Sequence, residues 1–468
     1  MKRIITSGLL SVILLATPGL MAQEYAYTLE ECITYAIENN KTIQNARFDE
    51  YISAAKVKEI LSLGYPQISG AADLQYFVEL PTSILPGIFN PETDPVTGEP
   101  IIDPVTGEPV PGAPIPLQFG FPWNANLGFS ANQLVFDGTY FIGLKASKTF
   151  VELAEKNTDR TREETALAVS KAYFQALIAG EQMNLLDANI SRVEKLFEET
   201  RALNEEGFVE KIDVDRLEIN YTNLKLEKAR IGRYAEMSMN LLKFQMGLPI
   251  QTKLTLTETA EELKARPIAA LEESDFRVEN RVEYSILQTQ QMLENYNLRR
   301  YRAGYIPSLY AFGSYQWNAQ RNEFNLFNTN ESWYPVSVVG LKLNVPIFDG
   351  FQKRQQVQQS MLALKKIENG FSMLEQSIAL EVSSSHANLL NAYQTLETSE
   401  QNKELAQRVY AVSQVKYKEG VGSSLEVNEA ESQLKMAESA YLNGLFEFFM
   451  AKIDLQKARG EFSRFHKE

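Results

Sequence analysis

Residues 134–140 read Leu-Val-Phe-Asp-Gly-Thr-Tyr, and residues 346–352 read Pro-Ile-Phe-Asp-Gly-Phe-Gln. The shared Phe-Asp-Gly, at 136–138 and again at 348–350, closes a short alternating segment and opens a very long one. After the first copy no proline occurs until Pro249, and after the second none occurs before the C-terminus. Proline breaks a helix interior, so these stretches are free to run as uninterrupted helix. A chain that twice writes strand, corner and giant helix is internally duplicated.

The copies align beyond the tripeptide. Val169-Ser-Lys-Ala-Tyr-Phe-Gln-Ala-Leu177 matches Val382-Ser-Ser-Ser-His-Ala-Asn-Leu-Leu390, and Glu206-Gly207 matches Glu419-Gly420. Upstream, the amphipathic Thr28–Asn40 segment leads to Gly64-Tyr-Pro66 and Leu74-Gln-Tyr76. The stretch Asn280–Leu287 leads in the same way to Gly304-Tyr-Ile-Pro307 and Tyr315-Gln-Trp317. The first copy carries an extra excursion, 81–122, with Asp94-Pro-Val-Thr-Gly-Glu-Pro100 repeated at Asp103–Pro109; this composition reads as exposed turns. The organisation is then a signal peptide (1–22), a first repeat (23–249, long hairpin 138–247), a connector (250–279) and a second repeat (280–468, long hairpin 350–460). Met1-Lys-Arg, the apolar run from Ile4 to Leu15 and Pro18-Gly-Leu-Met-Ala22 carry the export signal.

From Gly138 to Glu206 the chain would span about 100 Å as helix. Val169, Ala172, Ala176, Ala179, Met183, Leu186, Ile190, Val193 and Phe197 recur at three- and four-residue steps, the stripe of a helix packed on helices. Glu206-Gly207 and Gly420-Val-Gly422 turn each long helix back on itself. The pre-corner segments alternate with period two: Leu127, Phe129, Ala131 and Val135 against Asn126, Ser130 and Asn132, and Leu341, Leu343 and Val345 against Lys342 and Asn344. Leu74 and Tyr76, and Tyr315 and Trp317, alternate likewise with polar neighbours. A sandwich with one face on a core explains any one of these strands; the export signal and the giant helices favour strands of a membrane barrel, with these apolar residues facing lipid. Four strands cannot close a barrel, for which about eight is the minimum. Two chains would supply eight and three would supply twelve, and the sequence does not choose between them. The fold class is mainly α with a β membrane part.

The formal charge of −14 argues against nucleic acid. A single cysteine, Cys32, excludes a disulfide framework. Only His386 and His466 are histidines, and no nucleophile motif, metal cluster or phosphate loop occurs, so an enzyme, a metal and a cofactor are not expected.

In the order and spacing of the Thr28–Asn40 opening, the Gly-Tyr-Pro and Gly-Tyr-Ile-Pro segments, both Phe-Asp-Gly corners, Glu206-Gly-Phe-Val209 and Glu419-Gly-Val-Gly422, the chain resembles the TolC family of outer-membrane efflux proteins. The resemblance covers essentially the whole mature chain. It implies a homotrimer with a twelve-stranded barrel in the outer membrane of a Gram-negative bacterium, continued by a helical tunnel into the periplasm. It implies an exit duct for small molecules or proteins, working with a periplasmic adaptor and an inner-membrane pump and having no catalytic centre. The excursion 81–122 is expected to face outward at the extracellular mouth. By position, the family's gate residues fall on Glu426, Glu429, Asp213 and Tyr417, and its adaptor-contacting breaks on Gly207, Phe208, Val209, Gly420, Val421 and Gly422. Gly422 stands where the family has an arginine, which implies gate ion pairs that are weaker or rearranged. Ser423-Ser-Leu-Glu426 also reads as a capping box, a structural role competing for Glu426. An adaptor or a coiled-coil envelope scaffold would share the long helices but not the paired amphipathic strands.

Overall fold

The computed structural model describes residues 24–266 and 276–465; the signal-peptide expectation and His466 lie outside them. In chain order the first elements are β1 (Glu24–Tyr27), α1 (Leu29–Asn39), α2 (Lys41–Ser62), β2 (Gln67–Tyr76), β3 (Thr82–Leu85), β4 (Ile115–Gln118), β5 (Trp123–Phe136), α3 (Gly138–Glu205) and α4 (Lys211–Met246). There follow β6 (Lys253–Leu256), α5 (Ala260–Ala265), α6 (Val282–Ala303), β7 (Ser308–Arg321), β8 (Tyr334–Asn344), α7 (Gln352–Lys418) and α8 (Ser424–Ala458). Two compact units result: Ala54–Thr149 with Leu293–Ala363, and the remaining described residues.

The first unit holds a four-stranded antiparallel sheet in the order β2-β5-β7-β8. Its strands are 10 to 14 residues long, sufficient to cross a bilayer's apolar layer at a tilt. Every residue of β2 is exposed, and all but one of β8, so neither face of these edge strands rests on a core. An ordinary sandwich would bury one of the two faces. The excursion 81–122 is more ordered than turns alone. β3 and β4 pair antiparallel, and Asp94 and Asp103 each close a turn by accepting from the backbone two residues on, at 2.7 and 2.8 Å.

The two corners differ. At the first, β5 runs through Phe136 and α3 begins at Gly138, its N-terminus capped by Asp137, which accepts from Thr139 N at 2.7 Å. At the second, β8 stops at Asn344, so Val345 is not a strand residue; Pro346, having no N–H, cannot extend the ladder. Gly350 and Phe351 then adopt positive φ (64° and 68°) before α7 starts, and Asp349 accepts from Lys353 N at 3.2 Å.

The second unit is helical. Thr28 and Glu31 form a reciprocal capping box that starts α1. Its main core gathers α1, α3, α4, α5, α7 and α8, with Phe174 stacked on Phe449 at 4.2 Å between centroids. Cys32 is fully buried there, and burial pushes its thiol up to about 12, so it packs as an apolar group. β1 pairs in parallel with β6 of the connector. Glu258 ties the connector down, accepting from Leu29 N at 2.7 Å and Tyr173 Oη at 3.0 Å and pairing with Arg266.

Candidate functional site

Both helix breaks are built alike. Gly207 (φ 81°) donates to Asn204 O at 3.0 Å, and Phe208 N donates to Leu203 O at 2.8 Å. Gly420 (φ 74°) donates to Tyr417 O at 3.1 Å, and Val421 N donates to Lys416 O at 3.0 Å. This is the Schellman ending, in which glycine takes the left-handed conformation and the residue after it bonds five positions back. The duplication therefore extends to hydrogen-bond geometry. It leaves Phe208 and Val421 outward, 77% and 78% exposed, with Ile212 and Leu425 about half exposed beside the turns. At Gly422 an added Cβ would lie 3.1 Å from both Lys416 Cβ and Tyr417 N. A side chain there would need Lys416 and the Tyr417 backbone to give by a few tenths of an ångström.

Links between the two hairpins surround these breaks. Ser424 Oγ, in the first turn of α8, donates to Asp213 Oδ1 at 2.6 Å; Arg216 Nη1 is 3.7 Å from the same oxygen. The Tyr417 and Thr200 hydroxyls are 3.4 Å apart, and Lys418 lies 3.9 Å from Glu199. Beneath them a small core joins Leu196, Leu217, Tyr410, Val427, Ala430 and Leu434, one or more from each long helix. Asp213 and Tyr417 are thus engaged in separate links. Glu426 and Glu429 are exposed, and among the described residues neither carboxylate has a hydrogen-bond or ion-pair partner. The capping box is half made: Ser423 Oγ accepts from Glu426 N at 3.2 Å, but the Glu426 carboxylate does not return to the Ser423 backbone, unlike the box at Thr28. The cap therefore leaves that carboxylate uncommitted. Thr200 and Ser424 carry no sequence signal of their own, because a hydroxyl on a long helix reads as ordinary surface.

In the sheet unit the register sets the faces. Leu127 lies opposite Trp317, Phe129 opposite Tyr315, Ala311 opposite Leu341 and Leu309 opposite Leu343. Leu74 and Tyr76 face Ala125 and Trp123 and share that side. The opposite side carries Ser69, Asp73, Asn126, Ser130, Gln316 and Lys342, with Ser69 and Ser130 hydroxyls 2.8 Å apart and Asn126 Nδ2 donating to Gln316 Oε1 at 3.2 Å. Aromatic rings crowd one end, where Trp123 sits 4.6 Å from Tyr76 and 4.7 Å from Phe324. An outward apolar band with aromatic rims and a polar reverse is the pattern of a membrane barrel segment.

Four such strands joined to two helical hairpins, the outbound helices 68 and 67 residues long, define an outer-membrane channel protein. The family model described as "Outer membrane efflux protein" matches residues 281–461. The Outer membrane protein TolC of Vibrio cholerae serotype O1 is 20% identical over 340 residues, 72% of this chain and 76% of that one. Among solved structures, the CusC channel superposes with a TM-score of 0.69 at 14% identity, covering 92% of this chain and 91% of that one. VceC from Vibrio cholerae gives 0.66 at 13%, covering 92% and 96%. The chain is similar to the outer-membrane efflux proteins of the TolC family, whose family model it matches over residues 281–461. It serves as an outer-membrane exit duct in a Gram-negative bacterium, with a large periplasmic part, and its family is one of channels rather than of enzymes.

Proposed function

We propose that three copies assemble into the working duct, pairing β2 of one with β8 of the next to close twelve strands. The observation that carries this reading is that the outer edges of β2 and β8 have no partner among the described residues, while four strands are too few to close. Two helix faces favour a second copy as occupant. Ile212, Ile219, Leu226, Met237 and Phe244 on α4, and Met373, Leu380, Leu405 and Val412 on α7, are all at least half exposed. Within each stripe the steps of 7, 11 and 25 residues hold one side of the helix. The apolar side of the sheet then meets outer-membrane lipid. Residues 23–249 and 280–468 are the two repeats, supported by their matching order of helix, two strands and long hairpin; the connector 250–279 lies between them.

The helix breaks are the periplasmic end. Their outward Phe208 and Val421, with the half-buried Val209 beside them, dock a periplasmic adaptor, which couples the duct to an inner-membrane pump; the exposure of Phe208 and Val421 supports this. Glu426 and Glu429, three residues apart on one face of α8, form the gate. Three copies bring six carboxylates to one ring, which favours cations. Asp213–Ser424 and Tyr417–Thr200 hold the hairpins around it. The test is single-channel conductance of the purified protein in a planar bilayer, wild type beside Glu426→Ala/Glu429→Ala. A small cation-selective conductance that loses its selectivity and rises in the double variant is expected. Unchanged conductance and selectivity would remove the gate from these carboxylates, and failure to insert would remove the duct.

A further inference from the structure

Deeper than the breaks, all four long helices contribute to one interior polar cluster. Glu431 and Glu438 of α8 are 2% and 4% exposed. Arg192 of α3 donates to Glu438 at 3.1 and 3.3 Å and to Asn189, and its guanidinium lies 5.9 Å from the Tyr410 ring of α7. Asn220 of α4 donates to Glu431 Oε2 at 3.3 Å. Lys435 of α8 donates to Glu227 of α4 at 2.6 Å. Glu199 of α3 faces Tyr410 from the side of the breaks.

Arg192 and Lys435 thus stand against Glu227, Glu431 and Glu438, with the exposed Arg230 3.8 Å from Glu227 at the rim. Glu438 takes the arginine and Glu227 takes the lysine, so Glu431 is the carboxylate left without a counter-ion. Its Oε1, the Tyr410 hydroxyl and the Arg192 Nε are all buried with no hydrogen-bond partner among the described residues. Buried polar groups in folded proteins are nearly always satisfied, and an unpaired buried charge is the costly case. A cavity of about 110 Å³ adjoins the cluster, lined in part by Asn189, Glu227, Lys435 and Ser439, polar and large enough for water to carry a proton.

The geometry points to Glu431 as a proton-operated latch on the seating of α8 against α3, α4 and α7. With the proton on, every carboxylate still charged in the cluster has a cation partner and α8 stays packed. With it off, one unpaired charge is trapped among the helices and their separation is favoured. Burial raises the Glu431 carboxyl above its ordinary value, and Glu438 pushes the same way, against the Asn220 hydrogen bond and the charges of Arg192 and Lys435. The packed state therefore holds more protons than the loosened one. Acid seats α8, and rising pH, on passing through the raised value, releases it. Glu426 and Glu429, in solvent, are a separate feature.

The test reads two quantities on the full-length protein between pH 5 and pH 8: hydrogen-exchange protection of residues 424–438, corrected for intrinsic rates, and bilayer conductance. Wild-type protection is expected to fall in one titration step as pH rises, with conductance rising over the same window. Glu431→Gln abolishes the step and keeps the acid-form protection at every pH. Glu438→Gln removes the like charge beside Glu431 and leaves Arg192 to counter Glu431 instead, so the midpoint moves down by about one pH unit; this second variant decides the matter if the first does not assemble. Wild-type protection without a step, a step retained in Glu431→Gln, or an unmoved midpoint in Glu438→Gln would each overturn the latch. A protection step unaccompanied by any conductance change would support the latch and detach it from the gate.

Discussion

Removing one hydroxyl at the second break tests how the closed end is held. Ser424→Ala deletes the donor that reaches Asp213 Oδ1 at 2.6 Å across from α8 to α4. A hydrogen bond to a buried charge contributes about 1.5–3 kcal/mol. The Asp213 side chain is 20% exposed and keeps Arg216 at 3.7 Å, so water and that guanidinium recover part of the loss, leaving about 1 kcal/mol per chain. That is about a fivefold change for one chain. If three copies open together the terms add to about 3 kcal/mol, on the order of a hundredfold in the closed-to-open ratio. The assay is open probability in planar bilayers, with Ser424→Thr, which keeps a hydroxyl, as the control. Ser424→Ala should open far more often, with Ser424→Thr close to wild type. An open probability in Ser424→Ala equal to wild type would refute the claim that this link holds the hairpins closed.

Gly420→Ala should destabilise the second break by about 1–2 kcal/mol and Gly420→Asn by less; the added Cβ meets nothing within 4 Å, so the cost is the left-handed backbone alone, read by hydrogen exchange at 416–423. Val339→Arg, on the apolar side of β8, should cost roughly 2–4 kcal/mol of folding into bilayers, whereas Val338→Arg on the reverse side should cost little; equal costs would contradict the assignment of faces. Burial would raise the Glu283 carboxyl, but its hydrogen bond to Arg281 at 2.9 Å and the arginine's charge outweigh this and hold it below its ordinary value. A depressed carboxylate stabilises above its unfolded value and loses that contribution as pH falls, so the stability gap between wild type and Glu283→Gln, about 1–3 kcal/mol at neutral pH, should close as melts are taken from pH 6 to pH 3. Deleting 91–116 should leave trimer assembly intact, since every strand of the four-stranded sheet lies outside it; loss of the trimer on native gels would count against this.

Much of the fold is legible in the chain because its signals are long-range and redundant. Two proline-free stretches, two glycine breaks and two Phe-Asp-Gly corners repeat in one order, and helix length follows from the absence of breakers. Period-two alternation likewise assigned the sheet faces, since register only has to preserve parity. The misreadings were local. Val345 continues the alternation in sequence, yet Pro346 ends the ladder before it. Ser423 and Glu426 have the spacing of a reciprocal cap, yet only one half forms, because side-chain direction at a helix start is not encoded in spacing.

The sequence by itself determined the duplication, the helix lengths, the breaks and the amphipathic strands, because each rests on periodicity or on backbone rules for glycine and proline. It could not separate a carboxylate in water from one in a helix interface. Nothing in the sequence sets Glu431 and Glu438 apart from Glu426 and Glu429, and tertiary packing alone buries the first pair and exposes the second. Nor could it pair Asp213 with Ser424 or Tyr417 with Thr200, more than two hundred residues apart. Partners across helices depend on how the four rods are rotated against one another, which is decided by the whole apolar stripe and not by the residues that meet.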